Sequence, residues 1–317
     1  MSRLRTRRSE HRRRGVRNLL FSVGCFDLGG DHRDAVFLAG SARSGTTWLS
    51  GLLNPEGEMR YVFEPFYPEK VAAFRGLIRR PYLRPDDPGL EYLRPVRAVL
   101  SGRVKSRWSD RHNRTFLARR RLVKEVRANL MLGWLTKAFP GMKVVFLLRH
   151  PCAVVESRLR LGWRDGLDDF TAQATLLEDY PEPLESLLPT AKSDFERGIL
   201  AWCIENYVPL SQLRAADTKN VHVLRYEELL LSPERELSRL YQYLHPDEPD
   251  VFRITLKEIE ELPREELAFG WKSRVSEGLR AQTSQTLAAF GLNALYDEDA
   301  LPRPGGLESF LSGAAFS

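Results

Sequence analysis

The chain has 317 residues, 43% hydrophobic and 28% charged: apolar material for one large core, with no run approaching the ~20 apolar residues that cross a bilayer. Net charge is +6, yet eight arginines and one glutamate fall within residues 1–18, so the body of the chain is close to neutral. Three cysteines, Cys25, Cys152 and Cys203, stand far apart without a Cys-x-x-Cys or Cys/His cluster, which argues against a zinc module and a disulfide scaffold.

Residues 1–30 read as a basic, disordered N-terminal tail. Arg3, Arg5, Arg7, Arg8 and Arg12 to Arg14 could touch phosphates of RNA or lipid, or stay solvated; no RNA- or DNA-binding signature accompanies them. The apolar stretch from Leu19 to Phe26 is too short to span a membrane and wrongly flanked for a signal peptide. The apolar run Ala35 to Ala39 then predicts a buried strand, and Thr46 to Leu53 the start of a helix. Between them Gly40 and Gly45 keep the G-x-x-x-x-G spacing of a phosphate loop. A nucleotide triphosphatase would follow the second glycine with lysine; here Thr46 takes that place, and Arg43 is the loop's cation. Backbone N–H groups and the helix start can still hold an anion, but the grip on a third phosphate is gone. The alternative is an ordinary strand-to-helix turn.

Tyr61 to Glu64 predicts a short strand, followed by a polar, Arg/Pro-rich region to about Arg94. Arg121 to Val126 is another short strand, with a helical stretch from Asn129 to Phe139. Lys143 to Leu148 is a further apolar run, ending in Arg149-His150-Pro151, with Pro151 near the first position of a helix where its missing N–H costs little. Ser157 lies on the second turn of that helix, so Arg149 and Ser157 can face one anion. A kinase or GTPase often ends such a strand in an Asp that holds Mg²⁺; this one ends in Arg149, and the strand from Asn220 to Arg225 also lacks a terminal Asp. A helical region from about Ser193 to Ala216 precedes that strand, and Ser232 to Leu244 predicts a helix capped by Ser232 with Pro233 at its first position. Strands alternating with helices indicate a parallel, doubly wound sheet whose ligands sit at the carboxyl ends of the strands, where Gly40, Glu64, Lys124, Arg149 and Tyr226 all fall. One domain over residues 31–300 with a C-terminal tail at 301–317 follows.

Arg43-Ser44-Gly45-Thr46-Thr47-Trp48 resembles the 5′-phosphosulfate loop of the sulfotransferases that use 3′-phosphoadenosine 5′-phosphosulfate (PAPS), and Arg149 with Ser157 is similar to that family's 3′-phosphate site. The family usually reads Arg-Asp-Pro there, and this chain has His150 for the Asp. The resemblance runs from about Ala35 to Leu292 and implies an α/β, P-loop-type three-layer fold, a central parallel sheet flanked by helices, with PAPS as co-substrate and no metal. It implies that Arg43, Ser44, Gly45, Thr46 and Thr47 hold the 5′ end, that Trp48 stacks on the adenine and Tyr226 contacts it, and that Trp271, Lys272 and Arg274 belong to a C-terminal loop over the 3′-phosphate. The Arg-Lys-Gly that often opens that loop is absent.

The Lys-x-His element of the family's small-molecule branch is missing, since Lys124 is followed by Glu125 and Val126. Phe63-Glu64-Pro65-Phe66 instead resembles the Phe-Glu-Pro element of the carbohydrate branch. The expected catalytic residues are therefore Glu64 as base, with Arg43 and Lys124 steadying the leaving phosphate. Glu125 is an alternative base, although period-two alternation turns it away from Lys124; His112 and His150 rank lower. The region from Tyr67 to Arg120 builds the acceptor pocket, and its arginines point towards an acidic sugar among carbohydrate or small-molecule acceptors. The expectation is a cytoplasmic enzyme with neither a nucleic-acid partner nor stable membrane insertion. Two other readings stay open: an atypical P-loop kinase, and an RNA- or membrane-surface protein acting through the arginine-rich tail.

Overall fold

The structure is a computed structural model and describes residues 25–163, 166–214, 220–246, 253–297 and 301–312. Its centre is a five-stranded sheet of β2 (Ala35–Gly40), β3 (Arg60–Phe63), β5 (Arg121–Glu125), β6 (Lys143–Leu148) and β7 (Val221–Arg225), in the order β3-β5-β2-β6-β7. Every pairing is parallel. A two-stranded sheet joins β1 (Phe26–Asp27) to β4 (Leu117–Ala118).

The uninterrupted apolar runs follow from burial on both faces of the sheet. Alternate residues go to opposite sides. Phe37, Val123, Val144 and Phe146 face one core with Trp134 and Trp202, whereas Val36, Leu38, Leu122, Val145 and Leu147 face the other with Leu49, Leu229 and Leu237. The second layer holds α1 (Thr46–Leu53) and, later in the chain, the helices Tyr226–Leu231 and Pro233–Leu244. In the last of these Leu237, Leu240, Tyr241 and Leu244 form one apolar stripe at helical spacing. The first layer holds α2 (Leu90–Leu100), α3 (Leu132–Ala138), α4 (Pro151–Leu159) and the 21-residue α5 (Asp194–Arg214). This is the expected three-layer α/β arrangement. Ser232 precedes Pro233 as expected, but its side chain caps no backbone group.

Residues 25–30, assigned to the basic tail on sequence grounds, are tied into the fold. Asp27 takes a 2.5 Å bond from Arg121 and lies 3.5 Å from Arg60, and both arginine side chains are fully buried. Asp110 accepts from Arg60 Nε at 2.9 Å, and the carbonyls of Gly102 and Val104 take its remaining N–H groups. Two desolvated guanidinium ions need those carboxylates, because breaking a buried pair strands a charge. Residues 301–312 likewise include the helix Gly306–Ser312, whose Leu307 is buried in the first core. The arginine-rich segment before Cys25 lies outside the described residues.

His150 occupies the cap of α4. Its Nδ1 accepts the Cys152 N–H at 3.2 Å, its Nε2 pairs with the Asp297 carbonyl at 3.1 Å, and its ring stacks on Trp271 with centroids 4.3 Å apart. A neutral imidazole thus does the capping that an aspartate does elsewhere. Burial pushes it down to about 3, with the Asp297 carbonyl opposing and the charges of Lys272 and Arg149 adding to the effect. The unfolded chain therefore binds a proton that the folded one refuses between an ordinary histidine value and about 3. Stability should fall as pH drops below ~6.5, by up to ~1.4 kcal/mol per pH unit from this group. Urea unfolding between pH 7.5 and 5 checks the slope; His150→Asn, which keeps a cap acceptor without titrating, should flatten it.

Candidate active site

Four strand ends, those of β2, β3, β5 and β6, meet at one cleft. The loop after β2 turns at Arg43, whose φ of 76° lies in the left-handed region, and enters α1 through Gly45 at φ 98°. Glycine at 45 is required twice: by that backbone, and because a Cβ there would lie 2.7 Å from the Tyr226 ring. The loop is pinned through its own carbonyls, with Arg158 Nε donating to Ala42 at 3.1 Å and Arg149 Nη1 to Arg43 at 3.2 Å. Asn206 of α5 donates to Ser41 Oγ at 3.2 Å.

The second expected anion loop arrives beside the first. Arg43 Nε donates to Ser157 Oγ at 3.0 Å, across 114 residues of sequence. Arg149 lies over the Tyr226 ring at 4.3 Å, and Trp48 meets the same ring edge-on at 5.3 Å. Several donors remain unused. Ser44 Oγ, Arg149 Nε and Arg158 Nη1 are buried and have no hydrogen-bond partner among the described residues. Orphaned buried donors are uncommon and costly, and an oxyanion ligand would satisfy them. Burial, with Arg149 and Arg160 nearby, lowers the Arg43 pKa.

At the ends of β3 and β5 stands a carboxylate between two cations. Glu64, at φ 42°, follows β3 directly. Its Oε1 takes a 2.6 Å bond from Lys124 Nζ and its Oε2 a 2.9 Å bond from Arg127 Nη1. Burial raises its pKa, but the charges and hydrogen bonds of Lys124 and Arg127 outweigh that and hold it below the ordinary value, so Glu64 is ionised. Burial in turn lowers the Lys124 pKa, opposed by Glu64. Glu125 is fully buried and turned away, accepting the N–H groups of Phe66, Val126 and Arg127 at 2.7, 2.8 and 3.0 Å; its work there is structural.

Arg43, Gly45, Thr46, Thr47, Trp48, Glu64, Lys124 and Arg149 all line one cleft of about 1040 Å³. Ser157 and Tyr226 touch its walls through the contacts above, and Ser44 lies in the chain between the lining residues Arg43 and Gly45. The C-terminal loop behaves differently. Trp271 is buried against His150, Arg274 pairs with Glu156 at 2.7 Å, and Lys272 lies 5.9 Å from the Phe269 ring; none of the three lines the cleft. That segment reaches the site through its backbone, where the Leu267 carbonyl accepts from Arg149 Nη2 at 3.2 Å. An aromatic residue in a loop carries no sequence mark separating core packing from ligand stacking, and here packing on His150 wins.

The cleft extends well past these residues. Tyr67, Arg79, Arg80, Trp108 and Arg111 come from the region expected to form the acceptor pocket, and Trp163, Gly166, Asp168 and Asp169 form another part of the wall. Arg127 lies over Tyr67 at 4.0 Å, and Arg111 over Trp108 at 3.8 Å. Among the described residues the lining carries eight cationic side chains and three carboxylates. Arg158 stands next to Ser157 in the second anion loop, and that adjacency was the available signal for it. The segment at 163–169 carried none. Among the described residues no group of three or more His, Cys, Asp or Glu is placed to hold a metal ion, and no helix is long and apolar enough to cross a membrane.

The solved structures similar to this chain include the sulfotransferase domain from the curacin biosynthetic pathway, 18% identical over 83% of this chain and 99% of that one with a TM-score of 0.46. Another is the sulfotransferase domain of the Synechococcus PCC 7002 olefin synthase, 16% identical over 80% of this chain and 94% of that one with a TM-score of 0.44. No curated protein matches the chain. A sequence model of the sulfotransferase family matches residues 35–250, a span that holds β2, both anion loops, Glu64 and Lys124 and amounts to well over half the chain, and on that match the protein belongs to the sulfotransferase family.

Proposed function

We propose that this sulfotransferase draws the sulfuryl group from PAPS and passes it to a hydroxyl, or an amine, of a carbohydrate or small-molecule acceptor by in-line transfer, with the domain expected at residues 31–300, together with the flanking pieces that pack onto it, as the catalytic unit. The observation that carries the choice of donor is the Arg43–Ser157 contact, which sets two anion cradles side by side across 114 residues of sequence. PAPS, when bound, supplies the group to be transferred and a nucleotide bisphosphate as leaving group. Ser44 Oγ and the N–H groups of the loop suit its 5′ end, and Arg149 with Ser157 its 3′-phosphate; the unused Ser44 and Arg149 donors support both assignments. Trp48 and Tyr226 offer the aromatic faces for the base, a contact worth ~1–3 kcal/mol.

Glu64 removes the acceptor proton. Each of its oxygens takes one cation in the resting site and keeps a lone pair for the acceptor hydroxyl; as the carboxylate gains the proton its hold on Lys124 loosens, because a flexible ammonium moves at less cost than a planar guanidinium. Freed from Glu64, Lys124 joins Arg43 in steadying negative charge on the leaving side. Three free, buried cysteines support a reducing compartment, and we place the enzyme in the cytoplasm.

Calorimetry with adenosine 3′,5′-bisphosphate tests the donor site: Arg43→Ala and Arg149→Ala should each weaken binding by at least ~10-fold, the loss of a charge-assisted hydrogen bond. Unchanged affinity in both variants would remove PAPS from the proposal. Glu64→Gln should lower kcat by ~10²–10⁴-fold with nucleotide affinity nearly intact. Because the Glu64 pKa is depressed, the acid limb of wild-type kcat/KM should lie below pH 4.5. A limb at pH 6 or above, or wild-type turnover in Glu64→Gln, would move the base to another residue.

A further inference from the structure

The cleft holds more positive charge than a nucleotide donor needs. Arg43 and Arg149 serve the two anion loops, and Arg158 is bonded to the first of them. Arg80 belongs to neither. It comes from the stretch between β3 and α2, its side chain is only 14% exposed, and it lines the same cleft.

Among the described residues Arg80 is a desolvated cation with only long-range partners, two carboxylates and the Phe170 ring, 5.6 Å away. Its nearest carboxylates are Asp169 at 3.7 Å and Glu205 at 3.9 Å, both beyond hydrogen-bond reach. Glu205 is already committed to Arg158, with Oε2 accepting from Nη2 at 2.7 Å. Arg80 Nε and Nη1 are buried and make no hydrogen bond. The surroundings are shaped to keep the guanidinium there. Gly166 stands at φ 80°, and a Cβ on it would lie 1.8 Å from Arg80 Nη1, so any side chain at 166 would occupy the same space. Gln173 clamps the backbone on either side, its Nε2 donating to the Arg80 carbonyl at 3.0 Å and its Oε1 accepting from Tyr82 N at 2.8 Å.

A desolvated guanidinium that lines the cleft with hydrogen-bonding capacity unfilled among the described residues is a receptor for a planar or tetrahedral oxyanion. We propose that the acceptor carries an anionic group of its own, a carboxylate or a sulfate, and that Arg80 binds it and so orients the acceptor; this rests on the sulfotransferase reading above and names its acceptor class. Arg80 is a specificity residue that neighbours the first anion loop through Glu205 and Arg158 but lies on neither loop.

The test uses the full chain and two matched pairs of sugars: 4-nitrophenyl β-D-glucuronide against 4-nitrophenyl β-D-glucoside for a carboxylate, and N-acetylglucosamine 6-sulfate against N-acetylglucosamine for a sulfate. Binding is measured by calorimetry with and without saturating adenosine 3′,5′-bisphosphate. In at least one pair the anionic member should bind ~10-fold or more tightly than its neutral twin, and Arg80→Gln should erase that difference with nucleotide affinity unchanged. Arg80→Lys, which keeps the charge but loses the fork, should retain part of it. The melting temperature of Arg80→Gln should stay close to wild type, since the lost ion pairs to Asp169 and Glu205 are long and the removed cation was desolvated, whereas an arginine that holds the fold together would cost clear stability when lost. If no anionic sugar is preferred, whether both members of each pair bind alike or neither binds, or if Arg80→Gln keeps the preference, the proposal is overturned. Failure of adenosine 3′,5′-bisphosphate to bind would instead sink the donor reading, and the sugar titrations without nucleotide would still report on Arg80.

Discussion

The site depends on the in-register, parallel pairing of β2 with both of its neighbours. Leu38 stands opposite Lys124 on one side, and Gly40 opposite Leu147 on the other. With those registers set, the loop leaving β2 must emerge between Lys124 and Arg149. A slip of one residue would turn every apolar side chain of β2 to the wrong layer, and β2 has no solvent face to receive them. The hydrophobic effect therefore sets the relative height of three chemical groups that share no local sequence.

Electrostatics does the rest of the organising, and in two distinct ways. At the amino edge, Arg60 and Arg121 are buried with their donors matched by Asp27, Asp110 and backbone carbonyls, so their charge is spent within the fold. At the carboxyl edge the arginines of the cleft keep donors in reserve. The same residue type holds the fold together at one end of the sheet and is held ready by it at the other. Glu64 sits on the boundary between these uses, ionised by the two cations that also occupy its oxygens.

The strands of the sheet, and the place in the fold of the two loops expected to bind anions, were legible in the sequence because each is a local pattern: a continuous apolar run, a glycine spacing, an arginine and a serine eight residues apart on one turn and helix. Glu64 and Lys124 were legible as strand-end residues, although not the ion pair between them. Asp27 was hidden because its value lies in partners 33 and 94 residues away, which no window along the chain contains. The wall around Gly166 was hidden for the same reason, since an isolated glycine in a loop does not reveal that a guanidinium fills the space its side chain would take. Trp271 shows the opposite failure, a residue of suggestive type whose ring is consumed by His150.

Arg43 and Glu64 each hold a backbone twist that nature usually reserves for glycine. An L-residue there forfeits ~1–2 kcal/mol of conformational energy. Selection for heat resistance alone would drift both positions towards glycine and yield a sturdier protein. The chemistry proposed for these two positions needs a cation and an anion, which glycine cannot supply, and there the fold would give up robustness for function.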